Sequence, residues 1–153
     1  NPDTKGVSWC VKRRLRMHKV GESLVDMITI IGVMLGGALG GMLRLWIGSS
    51  VSRYASGVFP WGTLTVNLTA ALMMGAAFGI WQASGENPGA LVWAVMAAGL
   101  LGGYSTVSTL SLQVLRLWTY HPVLAIVYLV ASLGGGLAMI AGGHLGIMAA
   151  ITT

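Results

Sequence analysis

A chain of 153 residues that is 55% hydrophobic and only 8% charged is too apolar for a water-soluble domain, in which about a quarter of residues carry charge. Its formal charge of +5 does not mark a nucleic-acid binder, because six of the nine basic residues (Lys5, Lys12, Arg13, Arg14, Arg16 and Lys19) crowd ahead of the first apolar stretch. A basic cluster there is suited to anionic lipid. The single cysteine, Cys10, excludes an internal disulfide.

Composition therefore predicts an all-α membrane protein: a basic tail over residues 1–22, then a domain over residues 23–153 with four spans. The basic run could pass for the head of a signal peptide. The apolar stretch behind it is glycine-rich and of full spanning length, which favours an uncleaved first helix with its basic end on the cytoplasmic side. Helical spacing within the tail would also let it lie along the membrane surface.

Span one is expected from Met27 to Ile47. Gly32, Gly36 and Gly40 recur every fourth residue, with Gly37 and Gly41 one step on, so one face is nearly bare backbone. Such a face lets helices approach closely, the main source of association in lipid. Arg44 falls within a turn of the expected helix end, where it could snorkel to the headgroups or line a vestibule.

A loop containing Arg53 closes with Phe59-Pro60-Trp61-Gly62, and span two should run from Thr63 to Trp81. Asn67 lies one turn in, on the face of Thr63. A carboxamide in a membrane helix needs partners or water, so Asn67 either bonds to another helix or lines a permeation path.

The breaker turn Ser84-Gly85-Glu86-Asn87-Pro88-Gly89 leads into the third span, which has no charged side chain between Glu86 and Arg116. In its middle lies Gly99-Leu100-Leu101-Gly102-Gly103-Tyr104-Ser105-Thr106-Val107-Ser108-Thr109-Leu110-Ser111, a glycine-rich and hydroxyl-rich interruption. A broken helix survives in hydrocarbon only where it is buried in protein or lines a polar cavity. A break after Gly103 would leave half-helices Leu91 to Leu101 and Ser105 to Trp118, whose carbonyl and amide ends suit a small cation and an anion. Ser105, Ser108, Thr109 and Leu112 would then share one face of the second half, with Thr106 and Gln113 on another.

Thr119-Tyr120-His121-Pro122 forms the last loop, with Pro122 as first residue of span four. Tyr128, Ser132 and Gly136 stack at i+4 spacing, and a mid-membrane tyrosine hydroxyl must face something polar. His144, near the far end, is expected at the interface.

The membrane interior thus holds asparagine, glutamine, tyrosine, serines and threonines, but no acid, lysine or mid-span histidine. Proton-coupled transport needs a titrating group there, and hydrolytic or transfer chemistry needs a base. Neutral donors suit a small anion, because amides and hydroxyls replace its hydration without trapping it.

These residues resemble the Fluc family of fluoride channels over all four spans. Gly40-Gly41-Met42-Leu43-Arg44 is similar to its first-helix signature, and Pro60-Trp61-Gly62-Thr63-Leu64-Thr65-Val66-Asn67 to its pore-asparagine motif. Gly102-Gly103-Tyr104-Ser105-Thr106-Val107-Ser108-Thr109-Leu110 is similar to its third-helix break, and Tyr128 and Ser132 to its fourth-helix pair. The resemblance implies passive fluoride export through an antiparallel dimer in a bacterial inner membrane, with a structural sodium ion held by backbone carbonyls of Gly102 and Ser105. It implies an ion path along Asn67, Ser108, Thr109, Tyr128 and Ser132, with Arg44 at the vestibule.

Val107 and Leu110 occupy path positions where the family usually has phenylalanine, Ala70 replaces a common glycine, and Ser105 a threonine. The tail would orient most copies one way, whereas a homodimer of opposed chains needs nearly balanced charge. Fixed orientation and missing aromatics together fit one half of a heterodimer with a homologous partner, and a homodimer stays open. Two rivals share the four-span layout: a small multidrug-type proton antiporter, whose deep carboxylate is missing since Glu22 and Asp26 lie at the entrance of span one, and a non-conducting accessory subunit.

Overall fold

The computed structural model describes the backbone of residues 3–55, 57–85 and 89–152, and the side chains from Leu24 onward apart from Ala90. The side chains of the basic run and of Cys10, and the Glu86 to Pro88 part of the breaker turn, lie outside these described residues. Every regular element is helical: α1 (Asp3–Tyr54), α2 (Trp61–Ser84), α3 (Gly89–Trp93), a π segment (Ala94–Leu101), α4 (Gly102–Tyr104), α5 (Val107–Tyr120) and α6 (Pro122–Thr152). Four stretches are long and apolar enough to cross a membrane: Leu24–Tyr54, Trp61–Ser84, Leu91–Tyr120 and Pro122–Thr152.

The helices outrun their expected ends. α1 is continuous from the tail through the first span to Tyr54, so Arg53 lies in its last turn and Arg44 well inside it. Nothing between Ile47 and Tyr54 breaks a helix: the Ser49 and Ser50 hydroxyls donate back to the Trp46 carbonyl, at 3.0 and 2.8 Å. α2 starts right after Pro60 and stops at Gly85, whose φ of 65° places it in the left-handed region that glycine tolerates. Pro122 opens α6 as expected.

The glycine face of α1 packs against the first half of the third span. A Cβ on Gly36 would come within 2.9 Å of the Val95 carbonyl, and one on Gly40 would run into the Leu100 carbonyl and approach the Tyr104 amide at 2.7 Å. Gly103 answers from the other side, its Cβ position overlapping the backbone of Gly37. Gly41, by contrast, faces open space.

After Tyr104 the partners change. The π segment and α4 lie on α1, whereas α5 lies on α6, and α2 and α6 share the largest interface of the fold. The interruption thus lets one span pack its two halves against different neighbours. Two buried clusters result. Leu64, Leu110, Leu117, Ala125 and Tyr128 fill the space among α2, α5 and α6, while Val66, Ala70 and Tyr104 join α2 to α4.

The break falls one residue later than a break after Gly103 would, and the second half-helix begins two residues past Ser105, at Val107. Tyr104 is still helical, and the Ser105 amide closes the turn onto the Leu101 carbonyl at 2.9 Å. Ser105 (φ −77°, ψ 159°) and Thr106 (φ −152°, ψ 121°) form the extended joint, so Ser105 belongs to the joint and not to the hydroxyl face of the second half-helix. The reason is capping. Thr106 is the N-cap of α5, its Oγ1 accepting from the Thr109 amide at 3.3 Å, whereas Gly103 serves close packing against Gly37.

Candidate functional site

An extended joint inside a membrane helix strands backbone groups that helices normally pair, at a cost of several kcal/mol each in hydrocarbon. The Asn67 side chain meets that demand. Its Oδ1 accepts from the Thr106 amide at 3.0 Å and its Nδ2 donates to the Thr106 carbonyl at 3.3 Å. One carboxamide thus pairs with both polar groups of one residue, as a neighbouring strand would.

The pairing has a consequence for the flanking carbonyls. The amide of Thr106, ordinarily the helical donor to Gly102, is taken by Asn67, and that of Thr109, ordinarily the donor to Ser105, is taken by the Thr106 hydroxyl. The carbonyls of Gly102 and Ser105 are therefore both released from their usual helical donors. They are oxygen ligands of the kind a hard cation takes. Among the described residues no group of three or more His, Cys, Asp or Glu could hold a metal.

Hydroxyls crowd the other side of the joint. Thr106 Oγ1 lies 3.1 Å from Ser108 Oγ and donates to Thr109 Oγ1 at 3.2 Å. Thr106 and Thr109 open onto a cleft of about 300 Å³ that also takes in Arg44, Ser49, Ser52 and Thr63. No acid occurs between Asp26 and Glu86 to neutralise Arg44 from its own or the next span. The cleft sets one cationic side chain and several hydroxyls among apolar walls that include Leu45 and Val66.

A second polar chain crosses the bundle. The fully buried Tyr128 hydroxyl donates to Gln113 Oε1 at 2.6 Å, and Gln113 Nε2 donates to Thr63 Oγ1 at 2.8 Å. Thr63 and Ser132 flank the Tyr128 hydroxyl, and the Phe59 ring meets the Tyr128 ring edge-on, 5.5 Å between centroids. The Ser132 hydroxyl is buried and makes no hydrogen bond of good geometry.

The expected site residues therefore divide. Asn67 and Thr109 gather at the joint, Tyr128 and Ser132 at the second chain, and Arg44 at the cleft. Ser108 is exposed on this single chain and touches the site only through Thr106. Val107 is 79% exposed while Leu110 is buried beside Leu64, Leu117 and Tyr128, so the two aliphatic residues at the phenylalanine positions face different surroundings. His144 is half-buried, with Nδ1 unpaired and its ring tilted against Phe78 at 5.5 Å.

Sequence reasoning missed the linking roles of Thr63 and Gln113 and the bond of 2.8 Å between Thr69 Oγ1 and the Tyr104 hydroxyl. Gln113 is the one carboxamide in the third span, and that isolation was the available signal.

Fold and site together define a multi-pass membrane protein with four spans, whose interior polarity comes from uncharged hydrogen-bonding groups gathered at a broken helix. Residues 31–144 match the family model described as CrcB-like protein, Camphor Resistance (CrcB), and the chain belongs to that family. Relatives include the fluoride-specific ion channel FluC 2 of Bradyrhizobium diazoefficiens, 38% identical over 104 residues (65% of this chain, 73% of the relative). The FluC of Gloeobacter violaceus is 41% identical over 109 residues (69% and 85%). FluC 2 of Yersinia pseudotuberculosis is 36% identical over 121 residues (76% and 94%).

Proposed function

We propose that this chain is a subunit of a passive, fluoride-selective channel of the bacterial inner membrane, working by permeation and not by catalysis. The names of its relatives support the anion, and the observation that carries the reading is the joint at Ser105 and Thr106, splinted by Asn67 and surrounded by uncharged donors. Fluoride is small and tightly hydrated, so it enters only where several donors replace water together. Hydroxyls and amides offer such replacement without the deep binding a buried cation would impose. Arg44 in the open cleft attracts the anion to the mouth, and Thr109, Ser108, Tyr128 and Ser132 continue the path.

The chain pairs with a second, oppositely inserted copy or homologue, and the two joints cross at the centre. Gly102 and Ser105 carbonyls of each chain would hold a structural sodium ion there, which supplies charge neutralisation between the crossed helices. Their release from helical donors supports this use. The aliphatic Val107 and Leu110 and the one-sided basic tail favour a homologous partner that brings aromatic side chains to the path. Two further FluC relatives carry distinguishing numbers, FluC 1 of Brucella melitensis and FluC 3 of Yersinia pestis.

Fluoride efflux from liposomes, with this protein alone and with a co-expressed homologue of opposite charge bias, tests the reading. Efflux in the mixed preparation that exceeds either protein alone is the expected result. Inactivity in every pairing would favour the accessory subunit.

A further inference from the structure

The end of α5 and the loop ahead of α2 enclose a second cavity, of about 390 Å³, that shares no lining residue with the Arg44 cleft. Its walls include Val58 and Pro60 from the loop, Arg116, Leu117 and Tyr120 from α5, and His121 at the corner into α6. Arg116 and Tyr120 bring hydrogen-bond donors, and an imidazole keeps at least one in either protonation state. Among the described residues the side-chain donors of Arg116, Tyr120 and His121 have no partner, and the sequence holds no acid between Asp26 and Glu86 or after Glu86 to supply one. The cavity therefore favours an anion.

Its depth narrows the choice of anion. α1 and α5 end here and α2 and α6 begin here, so the cavity lies at one end of the bundle, on the membrane side opposite the basic tail. Tyr54, Trp61, Trp118 and Tyr120 are exposed at that same end, the pattern of aromatic side chains that sit among lipid headgroups. An anion held at that level meets guanidinium and imidazole on one side and Val58 and Leu117 on the other. A phospholipid matches both walls. Its phosphate suits the guanidinium fork, its glycerol suits the apolar side, and basic pockets between spanning helices take such headgroups.

We propose that this corner is a binding site for an anionic phospholipid, with the lipid phosphate held by Arg116, His121 and Tyr120 and the glycerol backbone lying on Val58 and Leu117. The site is separate from the ion path and does not depend on the fluoride reading. Arg53 supplies an internal comparison, because it is exposed at the same end, in the last turn of α1, but does not line the cavity. General attraction of lipid to surface charge would use Arg53 as readily as Arg116.

Native mass spectrometry of the assembled, delipidated protein, titrated with phosphatidylglycerol or phosphatidylcholine, tests the site. Phosphatidylglycerol adducts should saturate at one per chain, at concentrations where phosphatidylcholine, whose choline cation would face Arg116, gives few. Arg116→Gln combined with His121→Gln should weaken that binding about tenfold or more, the loss of charge-assisted hydrogen bonds. Val58→Trp should weaken it severalfold by filling the cavity with both basic side chains left in place, and Arg53→Gln should bind as wild type does. All four positions are exposed, so melting temperatures without lipid should stay at the wild-type value. Equal weakening by Arg53→Gln and Arg116→Gln, equal uptake of the two lipids, or displacement of the lipid by inorganic phosphate at matched ionic strength would each overturn the proposal. A second measurement needs no adduct to survive the spectrometer. Phosphatidylglycerol should raise the melting temperature of wild type and Arg53→Gln more than that of Arg116→Gln, since a ligand of the folded state stabilises it. The same rise in all three would contradict the site.

Discussion

The Asn67 carboxamide and the Thr106 backbone pair through two hydrogen bonds, 3.0 Å to the amide and 3.3 Å from the carbonyl, although the residues are 39 positions apart. That pairing makes the interruption of the third span affordable in a membrane. It also fixes what the interruption exposes: the hydroxyl cap of α5 on one side and two released carbonyls on the other.

Asn67→Asp keeps the acceptor but replaces the donor with a second oxygen, setting a carboxylate against the Thr106 carbonyl. We expect fluoride flux to be abolished and stability to fall by about 1–3 kcal/mol, the cost of a buried group left unpaired. Thermal unfolding in detergent together with liposome efflux checks this. Undiminished flux would remove Asn67 from any role at the path.

Ser132 separates structure from conduction. Its buried hydroxyl has no good partner, so Ser132→Ala should leave the melting temperature unchanged or raise it slightly while slowing fluoride efflux. Equal efflux by variant and wild type would take Ser132 off the path.

Arg44 acts through its charge at an open cleft. Arg44→Gln should lower flux severalfold at low ionic strength, and the deficit should shrink toward high salt, where the Debye length falls to about 3 Å at 1 M. A deficit independent of salt would mean that Arg44 contributes packing alone.

The glycine face of α1 makes a contrast within two adjacent residues. Gly40→Ala forces a methyl group into the backbone of Leu100 and Tyr104 and should destabilise the fold by about 1–3 kcal/mol, the usual cost of overpacking. Gly41→Ala meets nothing within 4 Å and should be neutral or mildly stabilising, since alanine is the better helix former. Thermal melts of the two variants would show it, and equal melts would contradict the packing.

Four spans were legible because hydrophobic length and the Pro60 and Pro122 boundaries are strong local signals. The interruption was legible too, but its position was not. The glycine pair Gly102 and Gly103 drew attention as the weak point, yet Gly103 serves close packing against α1, and the chain opens where Thr106 can cap the next helix. Helix ends ran past expectation at Ile47 because no breaker follows it. The π winding of Ala94–Leu101 left no trace that periodicity could detect. Asn67 was singled out by its chemistry, a carboxamide in lipid, and by its motif, but its partner could not be named: hydrogen bonds across 39 residues depend on how the spans pack, which composition does not encode. Gln113 was hidden for the same reason.

The most direct test of the account is fluoride efflux from proteoliposomes at a clamped membrane potential, with fluoride and chloride gradients compared and a proton ionophore added or withheld. Uncharged donors at the broken span should pass fluoride down its gradient, exclude chloride, and give the same rate with or without the ionophore, in the homodimer or in the assembly with a homologue. Fluoride movement that requires a proton gradient, or none in any assembly, would contradict it.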